Sequence, residues 1–285
     1  MSPDPTRRFE GKVAMITGGG AGIGRRYAHR FAGEGASIVI ADLDPSAAER
    51  VVKELEADGH RGIAREMNVT DNDAADATVA AAVDELGGVD ILVNNAGIHL
   101  DHAQLPFTKD ALPAWREVMD VNVLGALGCA VACRPVMKER GGGAIINMSS
   151  MAAYGGGNAY GVSKLALNAL TVGLAAQFAA DNIRVNGIAP GLVDSEAAVA
   201  WWSDPARAGM EGIDKMLING QMIKRQGRMD DLANTCLFLC SDDASFITAR
   251  PSSSSAATRR SPSGRSATTR RHAPRRGSAG AARSR

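Results

Sequence analysis

An aliphatic run at 13–17 passes straight into Thr17-Gly18-Gly19-Gly20-Ala21-Gly22-Ile23-Gly24, and an amphipathic stretch opens at Arg25. No other feature limits the fold as strongly. Glycine-rich sequence between a strand and a helix gives a tight turn, a close backbone approach and free amide groups at the helix start. Further β-branched runs at 37–41, 62–68, 90–93, 144–148 and 183–188 alternate with helical patterns at 22–34, 46–58, 71–86, 112–140, 159–180 and 228–240. This βαβ rhythm predicts an α/β protein with one parallel, doubly wound sheet. The strands are almost continuously apolar, which implies helices on both faces and three layers.

The glycine-rich turn in this context predicts a nucleotide site with the pyrophosphate on the helix start. Asp42, with Leu43 behind it, ends the second strand about 20 residues after the loop, where a carboxylate accepts both ribose hydroxyls of an adenosine and repels a 2′-phosphate. NAD is therefore favoured over NADP, although Arg25 and Arg26 keep the phosphorylated cofactor open. Asp42 can also be read as a helix cap, because Pro45 and Ser46 follow it.

Tyr160 and Lys164, four residues apart in Asn158-Ala-Tyr-Gly-Val-Ser-Lys164, share one helix face. A free phenol titrates at about 10, and bringing it to about 7 takes roughly 4 kcal/mol, which a desolvated ammonium nearby can supply. Tyr160 would then act as acid and base. The same spacing also occurs on ordinary exposed helices, so its weight comes from its neighbours.

The chain of 285 residues is 45% hydrophobic and carries a net charge of +1. That near-neutrality hides an asymmetry: residues 249–285 hold ten arginines and no acid, which leaves 22 basic and 31 acidic side chains in residues 1–248. An acidic body argues against nucleic acid as its partner. Cys129 with Cys133 and Cys236 with Cys240 sit at helical spacing in apolar sequence and read as buried thiols of a reducing cytoplasm, with no metal site. The N-terminus lacks the apolar core of a signal peptide, and the run 123–133 is too short to span a bilayer. A soluble cytoplasmic protein is expected. From Ala249 onward no aliphatic side chain larger than alanine occurs, so 249–285 should be a disordered basic tail after a single domain at 1–248. Such a tail is also compatible with a nucleic-acid-binding arm.

Taken in order, the loop at 17–24, Asn94-Asn95-Ala96-Gly97, Ser149-Ser150, Tyr160 with Lys164, and Pro190-Gly191 resemble the short-chain dehydrogenase/reductase family over 12–248. The resemblance implies one Rossmann-type domain holding cofactor and substrate, usually as a homotetramer. By the same resemblance, Tyr160 is the catalytic acid/base, Lys164 lowers its pKa and holds the nicotinamide ribose, and Ser150 bonds the substrate oxygen, with Ser149 as fallback. Asn122 matches the asparagine of a proton relay behind Lys164. Cofactor contacts fall on Gly18, Gly22, Ile23, Gly24, Asp42, Leu43, Asn68, Val69, Asn95, Ala96, Gly97, Pro190, Gly191 and Val193, with Ser195 near the carboxamide. The implied reaction interconverts a secondary alcohol and a ketone, and a 3-oxoacyl thioester reductase is the alternative within the family. The substrate pocket should draw on 99–105, 152–158 and 195–219, with Trp201, Trp202, Met210, Met216 and the loop histidines His99 and His102.

Family members continue past Phe246-Ile247-Thr248 with Gly-Gln-Thr and a last apolar strand. Here Thr-Ala-Arg-Pro-Ser-Ser-Ser stands instead, as the loss of one base from codons for Thr-Gly-Gln-Thr-Phe-Ile-Val would produce. A frameshift at Thr248 and a missing last strand are expected, with an inactive nucleotide-binding pseudoenzyme as the alternative outcome.

Overall fold

The computed structural model describes residues 7–98, 105–155, 157–196, 199 and 212–252. One parallel sheet runs through it in the order β3-β2-β1-β4-β5-β6-β7. Its strands are β1 Val13–Thr17, β2 Ser37–Asp42, β3 Gly62–Glu66, β4 Ile91–Asn94, β5 Gly143–Met148, β6 Ile183–Ile188 and β7 Pro251–Ser252. The helices are α1 Gly22–Gly33, α2 Pro45–Ala57, α3 Asn72–Leu86, α4 Leu112–Met119, α5 Ala126–Glu139, α6 Ala152–Gly155, α7 Ala159–Phe178, α8 Ile213–Gly220 and α9 Met229–Cys240. This is the doubly wound Rossmann-type architecture anticipated from the sequence. Strand order reverses between β1 and β4, which opens a crevice at their carboxyl ends.

Alternation along the strands builds the two cores. On β1, Ala14 and Ile16 pack with Tyr27 and Phe31 of α1, Val51 and Leu55 of α2 and Leu237 of α9. Val13 and Met15 point the other way, towards Val79 of α3, Cys133 and Met137 of α5 and Leu174 of α7. All four cysteines are free and buried, and burial pushes the Cys129 thiol up to about 12. Asp90 ties the layers together from below, accepting from Val13 N at 2.8 Å and from the Arg140 guanidinium at 2.8 Å. The stretches Lys109–Glu139 and Ala159–Asp181 are long and apolar enough to cross a membrane by length and composition. The first is longer than the 123–133 run because a turn of π-helix at Asp120–Gly125 continues α4 into α5. Both stretches lie on the sheet and supply its core.

The seventh strand is reduced to Pro251–Ser252, paired in parallel with Gly187 and Ile188 of β6. Backbone and side-chain hydrogen bonds close this edge. Ala249 N donates to Val185 O at 2.8 Å, Gly187 N donates to Arg250 O at 2.8 Å, and Asn186 Nδ2 donates to Ile247 O at 2.9 Å. The tail 253–285 lies outside the described residues. Ala249 holds φ +59°, a left-handed conformation that costs an L-residue with a Cβ about 1–2 kcal/mol. Ala249→Gly should therefore raise the unfolding free energy by roughly 0.5–1 kcal/mol after glycine's entropy cost is subtracted. Denaturant titration of both proteins measures this, and a variant no more stable than the parent contradicts it.

Candidate active site

The crevice at the switch point is held by a clamp between the ends of β1 and β4. Thr17 Oγ1 accepts from Asn95 N and Ala96 N, each at 3.0 Å, while Asn95 Nδ2 donates to Thr17 O at 3.0 Å and Gly18 O at 2.9 Å. The Asn95 side chain is thus spent on shaping the loop. Gly18 has φ +61°, and a Cβ added at Gly24 would stand 2.2 Å from Gly18 O and 2.7 Å from Asn95 Nδ2. Helix α1 can pack this close to the loop only because position 24 has no side chain. Gly22, at φ +53°, faces open space, and the Ile23 side chain packs into the core, which leaves its backbone to face a ligand.

Gly18, Asp42, Leu43, Asn68, Val69, Ala96 and Gly97 come together on one cleft of about 740 Å³. Sequence reasoning missed its far wall, formed by Pro113, Arg116, Glu117, Asp120 and Val121, because no local pattern says which loop α4 and the π turn will face. Asp42 Oδ2 accepts from Gly20 N at 2.8 Å and Oδ1 accepts from Asp44 N at 3.0 Å. The cap of α2 is Asp44, which accepts from Ser46 N and Ala47 N, so Asp42 does not serve as that cap. Asn68 Oδ1 takes Thr70 N at 3.1 Å and Thr70 Oγ1 at 2.9 Å, so its amide nitrogen is the group left for a ligand. An acidic strand end, a glycine cradle without clash and an elongated cleft together fit a dinucleotide. A second cleft of about 440 Å³ lies at the start of α1, lined by Gly22, Arg25, Arg26, His29, Asp194 and Arg228.

Tyr160 and Lys164 are both buried on α7, whose N-terminus is capped by Asn158 Oδ1 accepting from Gly161 N at 2.7 Å. Lys164 Nζ donates to Met148 O at 2.7 Å and lies 5.6 Å from the centre of the Tyr160 ring. Burial drives the two groups in opposite directions. It pushes the Tyr160 phenol up to about 12, against a hydrogen bond with Ser150 that pulls it down, and it brings the Lys164 ammonium down to about 8. In the free protein the expected lowering of the phenol is thus outweighed by desolvation. Of the two serines, Ser149 gives its hydroxyl to Lys164 O at 3.3 Å, and Ser150 is the one at the phenol.

Asn122 lies in the π turn, buried, with Oδ1 accepting from Ile98 N at 2.8 Å. Its Nδ2 donates to Ile98 O and to Ser163 Oγ, both at 3.0 Å. A Cβ on Gly97 would fall 2.9 Å from Asn122 Oδ1 and 3.4 Å from Lys164 Nζ, so only glycine lets the loop meet both. Sequence reasoning also missed Ser163, although it stands three residues after Tyr160 on the same helix. Pro190 O accepts from Met151 N at 2.9 Å, Val193 is buried and bridges to Gly227, and Gly191 and Ser195 follow β6 in the same segment. His99, His102, Trp201, Trp202 and Met210 lie outside the described residues, as does the Met216 side chain.

Lys164 titrates lower in the fold than in the open chain, so its contribution to stability is fully present above about 10.5 and is lost as pH falls through about 8. The Tyr160 contribution has the opposite sense, present below about 10 and lost towards about 12. Stability should therefore rise between pH 8 and 10 in the parent, by up to about 3 kcal/mol from Lys164. In Lys164→Met that rise should be gone. Denaturant unfolding at a series of pH values measures it, and an unchanged slope in the variant contradicts the burial of the ammonium.

Comparisons with known proteins agree with this geometry. A family model described as enoyl-(acyl carrier protein) reductase matches residues 18–252. An uncharacterised oxidoreductase of Mycobacterium tuberculosis is 41% identical over 242 residues, covering 85% of this chain and 95% of its own. The 7alpha-hydroxysteroid dehydrogenase of Escherichia coli is 35% identical over 246 residues, covering 85% of this chain and 92% of its own. A solved structure of a 7 alpha-hydroxysteroid dehydrogenase complexed with NADH and 7-oxo glycochenodeoxycholic acid superposes with a TM-score of 0.79 at 35% identity, over 88% of this chain and 95% of that one. The chain belongs to the short-chain dehydrogenase/reductase family and is an NAD(P)-dependent oxidoreductase acting on CH–OH groups.

Proposed function

We propose that this protein interconverts a small secondary alcohol and its ketone with NAD as the preferred cofactor, using Tyr160, Lys164, Ser150 and Asn122. The observation that carries the reading is the burial of Tyr160 and Lys164 side by side, with Ser150 bonded to the phenol. Bound NAD(P) supplies the hydride acceptor for oxidation and the donor for reduction. Tyr160 takes the hydroxyl proton of the alcohol in oxidation and returns it to the carbonyl oxygen in reduction. Ser150 donates to the same oxygen as charge gathers on it. Lys164, kept charged, stabilises the phenolate form of Tyr160 and orients the nicotinamide ribose, and Asn122 continues the proton path behind it.

NAD preference is supported by Asp42 on the cleft wall, where its carboxylate opposes a 2′-phosphate. Residues 1–248 hold both sites. A cytoplasmic location follows the free, buried cysteines. A homotetramer is supported by the apolar outer surface of α4, the π turn, α5 and α7, where Leu112, Leu124, Val131, Leu165 and Val172 are exposed. The family-model description favours, as a second reading, reduction of an acyl thioester substrate at the same site.

Initial rates with a panel of secondary alcohols and ketones, read by NADH absorbance, test the proposal. The expected kcat/KM is higher with NAD than with NADP, and the reverse order would overturn the assignment of Asp42. Tyr160→Phe should lower kcat by about 10²–10⁴-fold while NADH still binds. Turnover that survives this change removes Tyr160 from the chemistry, whereas NADH binding without turnover in the parent would identify an inactive nucleotide-binding protein.

A further inference from the structure

The face of α7 turned towards the sheet is polar in an otherwise aliphatic interior. Ser163, Lys164, Asn168 and Thr171 are all buried there. Lys164 reaches Met148 O on β5, and Thr171 Oγ1 accepts from Asn147 Nδ2 at 2.9 Å. Asn147 Oδ1 in turn accepts from Asn94 Nδ2 at 2.9 Å. The same Asn94 nitrogen donates to Ala126 O, just after the π turn, at 3.1 Å. A hydrogen-bonded seam thus crosses from β4 through β5 to α7.

Two members of the seam are unsatisfied. Among the described residues, Asn94 Oδ1 and both polar atoms of Asn168 have no hydrogen-bond partner, although Asn94 is 4% and Asn168 6% exposed. Asn168 stands one turn after Lys164 and three residues before Thr171, on the same stripe of the helix. Buried amides in native proteins are satisfied either by protein or by internal water, and a water needs two to four polar partners. The partners that protein can give Asn94 are already in use on its nitrogen alone.

We propose that Asn94 and Asn168 bind internal water in the seam between β4, β5 and α7, and that Asn168, acting through this water, is a positioning residue for Lys164. The proposal rests on the reading that Tyr160 and Lys164 carry the proton. Asn168 follows Lys164 by one turn on the polar stripe of α7, where Lys164 Nζ reaches Met148 O and lies beside the Tyr160 ring. Among the described residues, the titratable group beside the Lys164 ammonium is Tyr160 on the same helix. From β5 and the loop after it, the Met148 carbonyl meets the ammonium and the Ser149 hydroxyl meets the Lys164 backbone carbonyl. In a buried site of this kind the dipoles of a bound water weigh on whether the amine stays protonated. An aliphatic side chain of similar volume at 168 expels the water and moves the alkaline limb of the activity profile to lower pH.

The test begins with the unaltered protein, so that it does not depend on any variant folding. A crystal structure at atomic resolution should show ordered water within hydrogen-bond distance of Asn94 Oδ1 and of the Asn168 amide. A dry seam, or direct pairing of the two amides, overturns the proposal. In solution, Asn168→Leu should lower kcat about tenfold, a small part of what proton transfer contributes, leave the Kd for NADH unchanged and shift the alkaline limb of kcat downward. Asn168→Ser, small enough to keep the water, should restore the limb. An unshifted limb in Asn168→Leu, or no rescue by serine, refutes the positioning role. Lys164→Met separates the two readings: turnover retained there removes the assignment of Lys164 itself, whereas its loss together with a normal Asn168→Leu profile removes only the role of Asn168.

Discussion

The crevice between β1 and β4 exists because strand order reverses there, and the Thr17–Asn95 clamp gives it a shape. Four hydrogen bonds join the end of one strand to the loop after the other. Because they pin Gly18 O in place, Gly24 must lie against it without a side chain, and α1 is brought up to the loop with its amide groups open. The same clamp sets the path from Asn95 to Gly97, and the missing Cβ of Gly97 lets Asn122 and Lys164 meet that loop. Cofactor cradle and proton site are thus two ends of one constrained segment. Loss of a single clamp bond costs about 1 kcal/mol in stability, but its larger effect is on geometry, where tenths of an ångström matter at Gly24.

Burial of Tyr160 and Lys164, the proposed catalytic pair, works against ionisation of both partners. A phenol at about 12 beside an amine at about 8 is, near neutral pH, a neutral acid next to a cation held by one carbonyl. That state suits proton donation to a ketone. For alcohol oxidation by the proposed route the phenol must give up its proton, which its hydrogen bond from Ser150 favours. A positive charge brought into the cleft by the oxidised cofactor would add a second. The site therefore depends on what fills the cleft, which is why its protonation cannot be read from the Tyr160–Lys164 spacing alone.

The sheet, its crossovers and the grouping of the site residues were legible because each rests on local pattern: aliphatic runs, glycine between strand and helix, and four-residue spacing. Strands β1 and β6 fall where their aliphatic runs begin and end. What was not legible depends on partners remote in sequence. The 112–140 stretch reads as one helical run, and Gly125 does not by itself announce the π turn at Asp120–Gly125, yet that turn is what brings Asn122 onto Ile98 and Ser163. β3 stops at Glu66 and not at Asn68 because Met67 N turns to Asp42 O and Asn68 caps its own loop through Thr70. The sequence pattern also does not show that the Asn95 amide nitrogen donates to the backbone of the neighbouring loop.

The far edge of the sheet shows how little sequence is needed to close it. Beyond Thr248 there is no aliphatic side chain larger than alanine, and of the alanines Ala249 packs at the margin of the core, yet β6 is covered, because its own residues reach out. Arg184 donates to Leu239 O, Ser241 O and Ile247 O, Asn186 reaches both Ile247 O and Arg250 N, and Thr248 Oγ1 accepts from Val185 N at 3.1 Å. Hydrogen bonds of this kind contribute about 1 kcal/mol each, whereas a buried strand side chain contributes about 1.5–3 kcal/mol. The edge is therefore closed in geometry but weakly held. The loop after β6 carries Pro190, Gly191 and Val193, and Gly187 lies against Pro251. Under the proposed cofactor assignment, loosening at this edge would reach the loop at 190–193, read as the nicotinamide side, before it reaches Asp42, so cofactor capture there can persist where orientation for hydride transfer fails.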